Sequence, residues 1–188
     1  MAGGGPSVTG NTELWNGTSW TEDGDLSTAR YLLAGAGTST VGLAFGGGAP
    51  PIVAVTEEFT GAGANIGAWS TANNMNTARK ELAGAGTATS GLAFGGGTPS
   101  ALAITESYDG TSWTEVADLN TARKNHAGAG ASNTAALSFA GGTPYVDNNE
   151  TWNGSSWTEV GDLNTARYGL AGFGTNTAAI AAGGHVPG

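Results

Sequence analysis

Cysteine is absent from this chain of 188 residues, and lysine and arginine together number only six. Without cysteine, a disulfide framework, a thiolate nucleophile and a cysteine-based zinc site are all excluded. The formal net charge of -9 leaves too little positive charge to neutralise a phosphate backbone, so we expect no nucleic-acid partner.

Long apolar runs are missing as well. No stretch approaches the ~20 apolar residues that are needed to span a bilayer. The opening residues, Met-Ala-Gly-Gly-Gly-Pro, lack the basic and apolar regions of a secretory signal. We therefore expect a soluble protein without membrane insertion, for which virion-associated and extracellular locations both stay open.

Segments suited to long helices are scarce, whereas glycine occurs 34 times among many threonines and alanines. This composition favours short strands joined by turns. Tryptophan, leucine and phenylalanine recur at fixed positions and can supply the packed core that a disordered tract lacks. We expect an all-β fold that forms one cooperative domain over residues 1–188.

A short phrase ending in Thr-Ala-Arg occurs four times, which identifies the chain as a repeat protein. Each arginine follows a tryptophan by ten residues, and successive arginines are 49, 44 and 44 residues apart. A period in the forties is typical of propeller blades and repeat arrays. A glutamate precedes each tryptophan, so the repeated residues are Glu13, Glu57, Glu106 and Glu150, Trp20, Trp69, Trp113 and Trp157, and Arg30, Arg79, Arg123 and Arg167.

The segment between the second and third repeated arginines predicts four short strands. The first is rich in glycine and alanine, which suits an innermost strand where Cβ atoms crowd around a central axis. An Asp-Gly turn joins the last two, since glycine accepts a positive φ at no steric cost. Four antiparallel strands make one propeller blade, and here they are predicted at 82–87, 90–94, 101–108 and 113–116.

Four such sets of strands predict a four-bladed β-propeller with pseudo-fourfold symmetry. The chain opens on an outer pair of strands and closes on an inner hairpin, so we expect the terminal strands to pair and close the ring. A closed monomer is favoured, while an open fragment of a larger ring and two chains completing one eight-bladed ring stay as alternatives. The repeat units are approximately 27–75, 76–119, 120–163, and 164–188 joined with 1–26.

This pattern resembles the kelch repeat across essentially the whole chain. A kelch blade has an apolar strand ending in a double glycine, then a tyrosine, a tryptophan and an arginine; here these are residues 92–96, Tyr108, Trp113 and Arg123. The resemblance implies a propeller that serves as a binding platform, a scaffold or, in a minority of cases, an enzyme. The wording Asn-Gly-Thr-Ser-Trp-Thr-Glu is similar to bacterial and phage repeat proteins, often of tails or adhesins. In the other units the tyrosine is replaced by Trp15, Phe59 and Trp152.

The repeated glutamates and arginines have two interpretations. They could tie blade to blade, through Glu–Arg pairs or Arg–carbonyl contacts with the guanidinium stacked on an indole. Alternatively, the four arginines could surround the axis and hold an anion. A residue repeated in every unit more often forms the fold, so the structural interpretation is favoured.

Catalytic chemistry is not expected. The two histidines, His126 and His185, lie in different units without a repeated acidic partner at metal-ligand spacing. The copper site of galactose-oxidase-type kelch enzymes needs a cysteine-linked tyrosine, which this chain cannot form. We therefore expect no enzyme activity, no cofactor and no metal.

Two classes of function remain. The first is a non-enzymatic binding or adhesion module for a glycan or a cell-surface protein, using loops or grooves between blades. The second is a purely structural or assembly element, such as part of a virion fibre or a self-associating module. Loops that differ between units are candidates for binding, including an insertion at 61–67 in the second unit.

Overall fold

The fold was determined as a computed structural model that describes residues 7–61, 67–142 and 145–186. Across these residues it contains β-strands, turns and bends, and no helix capable of crossing a membrane. The all-β prediction is confirmed. The strands are β1 Thr12–Trp15, β2 Trp20–Asp23, β3 Ala34–Gly37, β4 Val41–Phe45, β5 Thr56–Thr60, β6 Ala68–Ala72, β7 Ala83–Thr87, β8 Ser90–Phe94, β9 Thr105–Tyr108, β10 Trp113–Val116, β11 Ala127–Ser132, β12 Ala135–Gly141, β13 Val146–Trp152, β14 Trp157–Val160, β15 Ala171–Gly174 and β16 Ala179–Ala182.

The strands form three complete four-stranded sheets and two hairpins. Sheet 1 has the order β3-β4-β5-β6, sheet 2 β7-β8-β9-β10 and sheet 3 β11-β12-β13-β14. Every pairing is antiparallel and joins strands that are adjacent in sequence. The N-terminal hairpin is β1-β2 and the C-terminal hairpin is β15-β16. Each sheet is therefore a four-stranded antiparallel meander.

Asn-Gly turns close the outer strand pairs of two units. Gly17 and Gly154 adopt positive φ values of 96° and 93°. The Asn16 Oδ1 atom accepts hydrogen bonds of 2.9 Å from the backbone N–H groups of Thr18 and Ser19. The side chain thus satisfies the turn's own backbone, and the residue is used for conformation.

The glycine–alanine strands are the innermost strand of each sheet and lie against one another in the order β3, β7, β11, β15. Glycine is required there because a ring of the preceding sheet packs on the strand. A Cβ atom at Gly128 would lie 2.6 Å from the Phe94 ring, and one at Gly172 would lie 2.5 Å from the Phe139 ring. Close sheet-to-sheet approach therefore explains the alternation of glycine and alanine.

The apolar core consists of layers between neighbouring sheets. Each layer combines a leucine and a phenylalanine from the second strand of one sheet with a tryptophan from the fourth strand of the next. Phe45 packs on Trp113 at a centroid distance of 5.1 Å, and Phe94 packs on Trp157 at 5.0 Å. Burial of these side chains, not the pairing within one sheet, holds the sheets together.

The two terminal hairpins form where the sequence predicts them. In the part of the chain that the structure describes, β1 pairs only with β2 and β16 only with β15, so no sheet joins the two hairpins. The row of inner strands accordingly runs from β3 to β15 with two ends. The third strand of sheet 2 is shorter than the predicted 101–108, because an isolated bridge between Gly97 and Ala101 holds the start of this segment outside the sheet.

Candidate functional site

Three of the four repeated arginines form ion pairs with repeated glutamates. Arg30 pairs with Glu57 at 3.2 Å, and Arg123 with Glu150 at 2.6 Å. The third pair joins Arg79 to Glu106. All six side chains are at most 1% exposed.

The glutamate of each pair accepts hydrogen bonds from the segment that carries its arginine: Ser27 donates to Glu57, and the Asn-Thr-Ala-Arg segments surround Glu106 and Glu150. Glu150 Oε2 accepts hydrogen bonds from the backbone N–H and the side-chain amide of Asn120, at 2.7 and 2.9 Å. Its Oε1 accepts from Thr121 N–H and from Arg123. Burial lowers the pKa of the Arg123 guanidinium, and the charge of Glu150 opposes that shift. The carboxylate is thus fully hydrogen-bonded, as a buried charge requires.

This arrangement ties each linker to the next sheet. Arg123 also donates to the carbonyls of Ala140 in β12 and Asn148 in β13. The paired guanidinium groups are buried, and each is bound to a glutamate. An anion therefore has no access to them in these three copies. The cation–π contact found among the described residues joins Lys80 and Tyr31, away from the repeated indoles.

The fourth copy differs, because Glu13 and Arg167 do not meet. Arg167 donates to the carbonyl of Ala181 at 3.3 Å, as Arg79 does to Ala93 in the second copy. Its Nε is buried and has no hydrogen-bond partner among the described residues, as is also true of Arg30 and Arg79. Glu13 is exposed on β1.

The repeated tryptophans have a second role that the sequence analysis missed. In three of the four copies the indole N–H donates to a threonine of the preceding strand pair at 3.0 Å: Trp69 to Thr12, Trp113 to Thr56 and Trp157 to Thr105. The sequence signal for this hydrogen bond was the threonine that stands directly before the repeated glutamate. Tryptophan therefore links sheets both by packing and by a hydrogen bond.

The histidines lie apart from each other. His126 is 6% exposed and packs on Phe94, and burial lowers its pKa to about 3, with a smaller contribution from the positive charge of Arg123. His185 stacks on Tyr168 at a centroid distance of 5.1 Å. Within residues 7–61, 67–142 and 145–186, no three acidic or histidine side chains gather closely enough to bind a metal ion.

A polar groove lies between sheets 1 and 2 on their outer strands. It has a volume of about 420 Å³ and is lined by Glu58, Thr71, Asn73, Tyr108 and Thr111, with Ala72 and Gly110. The Tyr108 hydroxyl donates to Glu58 Oε1 at 2.6 Å, which fixes both side chains. Burial raises the pKa of Tyr108, and the hydrogen bond to Glu58 and the negative charges of Glu58 and Asp109 raise it further.

The groove is specific to this pair of sheets. By strand register, Ser107 and Thr151 stand at the position of Glu58, and Trp152 stands at that of Tyr108. The carboxylate and the phenol therefore do not belong to the repeated framework. The other sequence candidate for binding, the insertion at 61–67, lies at 62–66 outside the described residues.

Comparison with models of known protein families and with curated proteins finds no match for this chain.

Proposed function

We propose that this chain is a non-enzymatic binding or adhesion scaffold built as a kelch-like propeller, in which an N-terminal hairpin and a C-terminal hairpin together complete one further blade. The proposal rests on the three complete meander sheets, the row of inner strands and the hairpins that carry the missing outer and inner pairs. A rigid framework of repeated contacts leaves the unrepeated residues available for recognition.

The proposed binding site is the groove between sheets 1 and 2, and the proposed ligand is a glycan. The observation that supports this is the Glu58–Tyr108 pair, which occurs once among otherwise repeated positions. A carboxylate, two threonine hydroxyls and an amide offer both acceptors and donors to sugar hydroxyl groups. The formal net charge of -9 favours a neutral ligand over an anionic one.

Glycan-array binding followed by titration calorimetry tests the proposal. Glu58→Gln and Tyr108→Phe should each weaken binding of the selected glycan by about tenfold or more, because the first replaces a charged acceptor oxygen by an amide donor and the second removes the hydroxyl group. Glu115→Gln is the matched control, since Glu115 is an exposed glutamate on β10 outside the groove. Equal loss in all three variants, or no glycan bound at all, would count against this function.

A second candidate function is a structural or assembly element without a small ligand. It is favoured by large apolar side chains exposed on the two terminal hairpins: Trp15, Trp20, Phe173 and Ile180 are 47%, 65%, 54% and 58% exposed. The counterparts of the two tryptophans in sheet 3 are buried, with Trp152 at 1% and Trp157 at 5%. The mass of the protein in solution, measured without ligand, separates this candidate from the first.

A further inference from the structure

The two ends of the chain carry complementary halves of one sheet. The N-terminal hairpin contains the third and fourth strands of a blade, and the C-terminal hairpin contains the first and second. The register of the complete sheets specifies how they would pair. Since Phe45 faces Thr56 and Ala44 faces Glu57, Ala182 would face Thr12 and Ala181 would face Glu13.

The C-terminal end holds an open site for a tryptophan. A cavity of about 90 Å³ is lined by Leu137, Phe139, Asn149 and Leu163, with Ala179 and Ala181. Leu92, Phe94 and Leu119 occupy the same positions in sheet 2, where they pack around Trp157. By this correspondence the indole that belongs in the cavity is Trp20, which is 65% exposed on the N-terminal hairpin.

A polar atom in this cavity lacks its partner. Asn149 is 6% exposed, and its Oδ1 has no hydrogen bond among the described residues. Asn149 takes the position of Thr56 and Thr105, whose hydroxyls accept the indole N–H of the next sheet. Trp20 would therefore donate to Asn149 Oδ1 and satisfy a buried acceptor whose isolation is otherwise costly.

The unpaired charges match in the same way. Arg167 already donates to the carbonyl of Ala181, which is the residue that would face Glu13. The segment before it repeats the Asn-Thr-Ala-Arg cradle that encloses Glu106 and Glu150. The carboxylate of Glu13 would complete a fourth cradle with Arg167, Asn164 and Thr165.

A series of backbone hydrogen bonds joins the residues that directly precede the inner strands. The series stops at the first and at the last of these strands. Asn125 N–H donates to the Glu81 carbonyl and Gly169 N–H to the Asn125 carbonyl, while Glu81 N–H donates to Leu32. Among the described residues, the Leu32 N–H and the Gly169 carbonyl have no such backbone partner. One further bond between these two groups would continue the series.

We propose that the complementary ends belong to different copies of the chain: the C-terminal hairpin of one copy pairs with the N-terminal hairpin of a second, and two copies close into a ring through two equal junctions. A second copy is the occupant because one chain, with both hairpins described, leaves their edges unpaired and the row of inner strands open. The inference rests on the proposed propeller architecture but not on glycan binding. Each junction buries Trp20 against Phe139 and pairs Glu13 with Arg167.

Sedimentation velocity of the full chain tests this inference. We expect a mass of about 37 kDa, twice the 18.5 kDa of one chain. Glu13→Lys and Arg167→Glu each spoil both junctions of a homodimer, and each should weaken dimerisation by about 30-fold or more. Mixing the two variants should restore a dimer, because one of its junctions then joins an unchanged Glu13 to an unchanged Arg167.

Controls distinguish a lost junction from a damaged fold. Glu115→Lys makes the same charge reversal on an exposed position of a complete sheet and should leave the dimer intact. Trp20→Ala removes a side chain that a single chain exposes, so it should abolish the dimer while leaving the circular dichroism of the monomer unchanged.

Two results for the wild-type protein would overturn the inference. They also show whether the proposed architecture fails with it. A wild-type monomer in which acrylamide cannot quench Trp20 would show closure within one chain, which keeps the propeller but excludes the second copy. A wild-type monomer in which Trp20 is quenched freely, with Trp20→Phe used to assign its signal, would contradict both. Failure of the mixed variants to associate also counts against a junction between copies.

Discussion

Arg123 and Glu150 form an ion pair of 2.6 Å between Nη2 and Oε1, with side chains 1% and 0% exposed. Both charges depend on the pairing, because neither can be solvated where it lies. Most of the donors around Glu150 come from a linker about thirty residues earlier in the chain. The pair therefore joins the end of sheet 2 to the centre of sheet 3.

Replacing Arg123 by methionine should destabilise the protein by about 3–5 kcal/mol, because Glu150 is left as an uncompensated buried charge. Urea unfolding followed by tryptophan fluorescence measures the change. The double variant Arg123→Met, Glu150→Leu should recover part of the loss. Lys124→Met is the control, since the Lys124 side chain is 22% exposed and should contribute at most about 1 kcal/mol. A loss of glycan binding without loss of stability in Arg123→Met would instead support an anion or ligand role.

Replacing His126 by leucine should stabilise the protein, increasingly so below neutral pH. Leucine stands at this position in the other three copies, as Leu33, Leu82 and Leu170. The folded state holds the His126 pKa at about 3, below its unfolded value near 6.5, so unfolding takes up a proton between these limits. The contribution of neutral His126 is present above pH about 6.5 and is lost as pH falls.

The measurement is the free energy of unfolding of both proteins from pH 7 to pH 4. The advantage of His126→Leu should grow by about 1.4 kcal/mol for each pH unit below about 6. A difference that stays constant over this range would show that His126 is not buried in its neutral form. His185→Leu serves as the control, because His185 is exposed.

Adding a methyl group to an inner strand should separate neighbouring sheets. Gly128→Ala should cost about 1–3 kcal/mol, because its Cβ would lie 2.6 Å from the Phe94 ring. Gly161→Ala is the matched control, since nothing lies within 4 Å of a Cβ placed there. Thermal unfolding of the two variants should differ clearly, and equal transition temperatures would contradict the proposed packing of Phe94 on Gly128.

A left-handed backbone position offers a stabilising substitution. Leu32 has a φ of 53° and a side chain 46% exposed, and the same position is occupied by Asn125 in the third copy. Asparagine tolerates this region better than leucine, so Leu32→Asn should gain about 0.5–1 kcal/mol. Leu32→Ala removes the same side chain but lacks the carboxamide that can hydrogen-bond to the local backbone in this region, and it should show no such gain. Chemical denaturation with Trp20→Ala as the background avoids any effect of association.

The repeated parts of the molecule could be predicted from the sequence. Strands, turns and the small inner residues recur at fixed spacing, and each follows from local conformational preference or from packing that repeats. The pairing of Arg79 with Glu106 was one of two open interpretations, because spacing alone does not reveal which side chains face each other. The indole bond from Trp113 to Thr56 was missed because it joins residues 57 positions apart.

The groove and the chain ends could not be predicted in the same way. Glu58 and Tyr108 lie 50 residues apart in the sequence and occur in one copy only, so no periodicity marks them as neighbours. The pairing of the terminal hairpins was predicted from the strand count, but strand count does not specify the angle between successive sheets. That angle depends on the side chains between them, such as Phe94 above Gly128, and it decides whether β3 and β15 come together.

The way the sheets follow one another along the sequence has a consequence for evolution and for engineering. Each complete sheet is built from four strands that are consecutive in sequence, so one repeat unit carries one whole sheet. Duplicating or deleting one 44-residue unit, such as the segment between Arg79 and Arg123, would change the number of sheets and leave both terminal hairpins as they are. The number of sheets and the residues that the two hairpins expose can therefore vary independently.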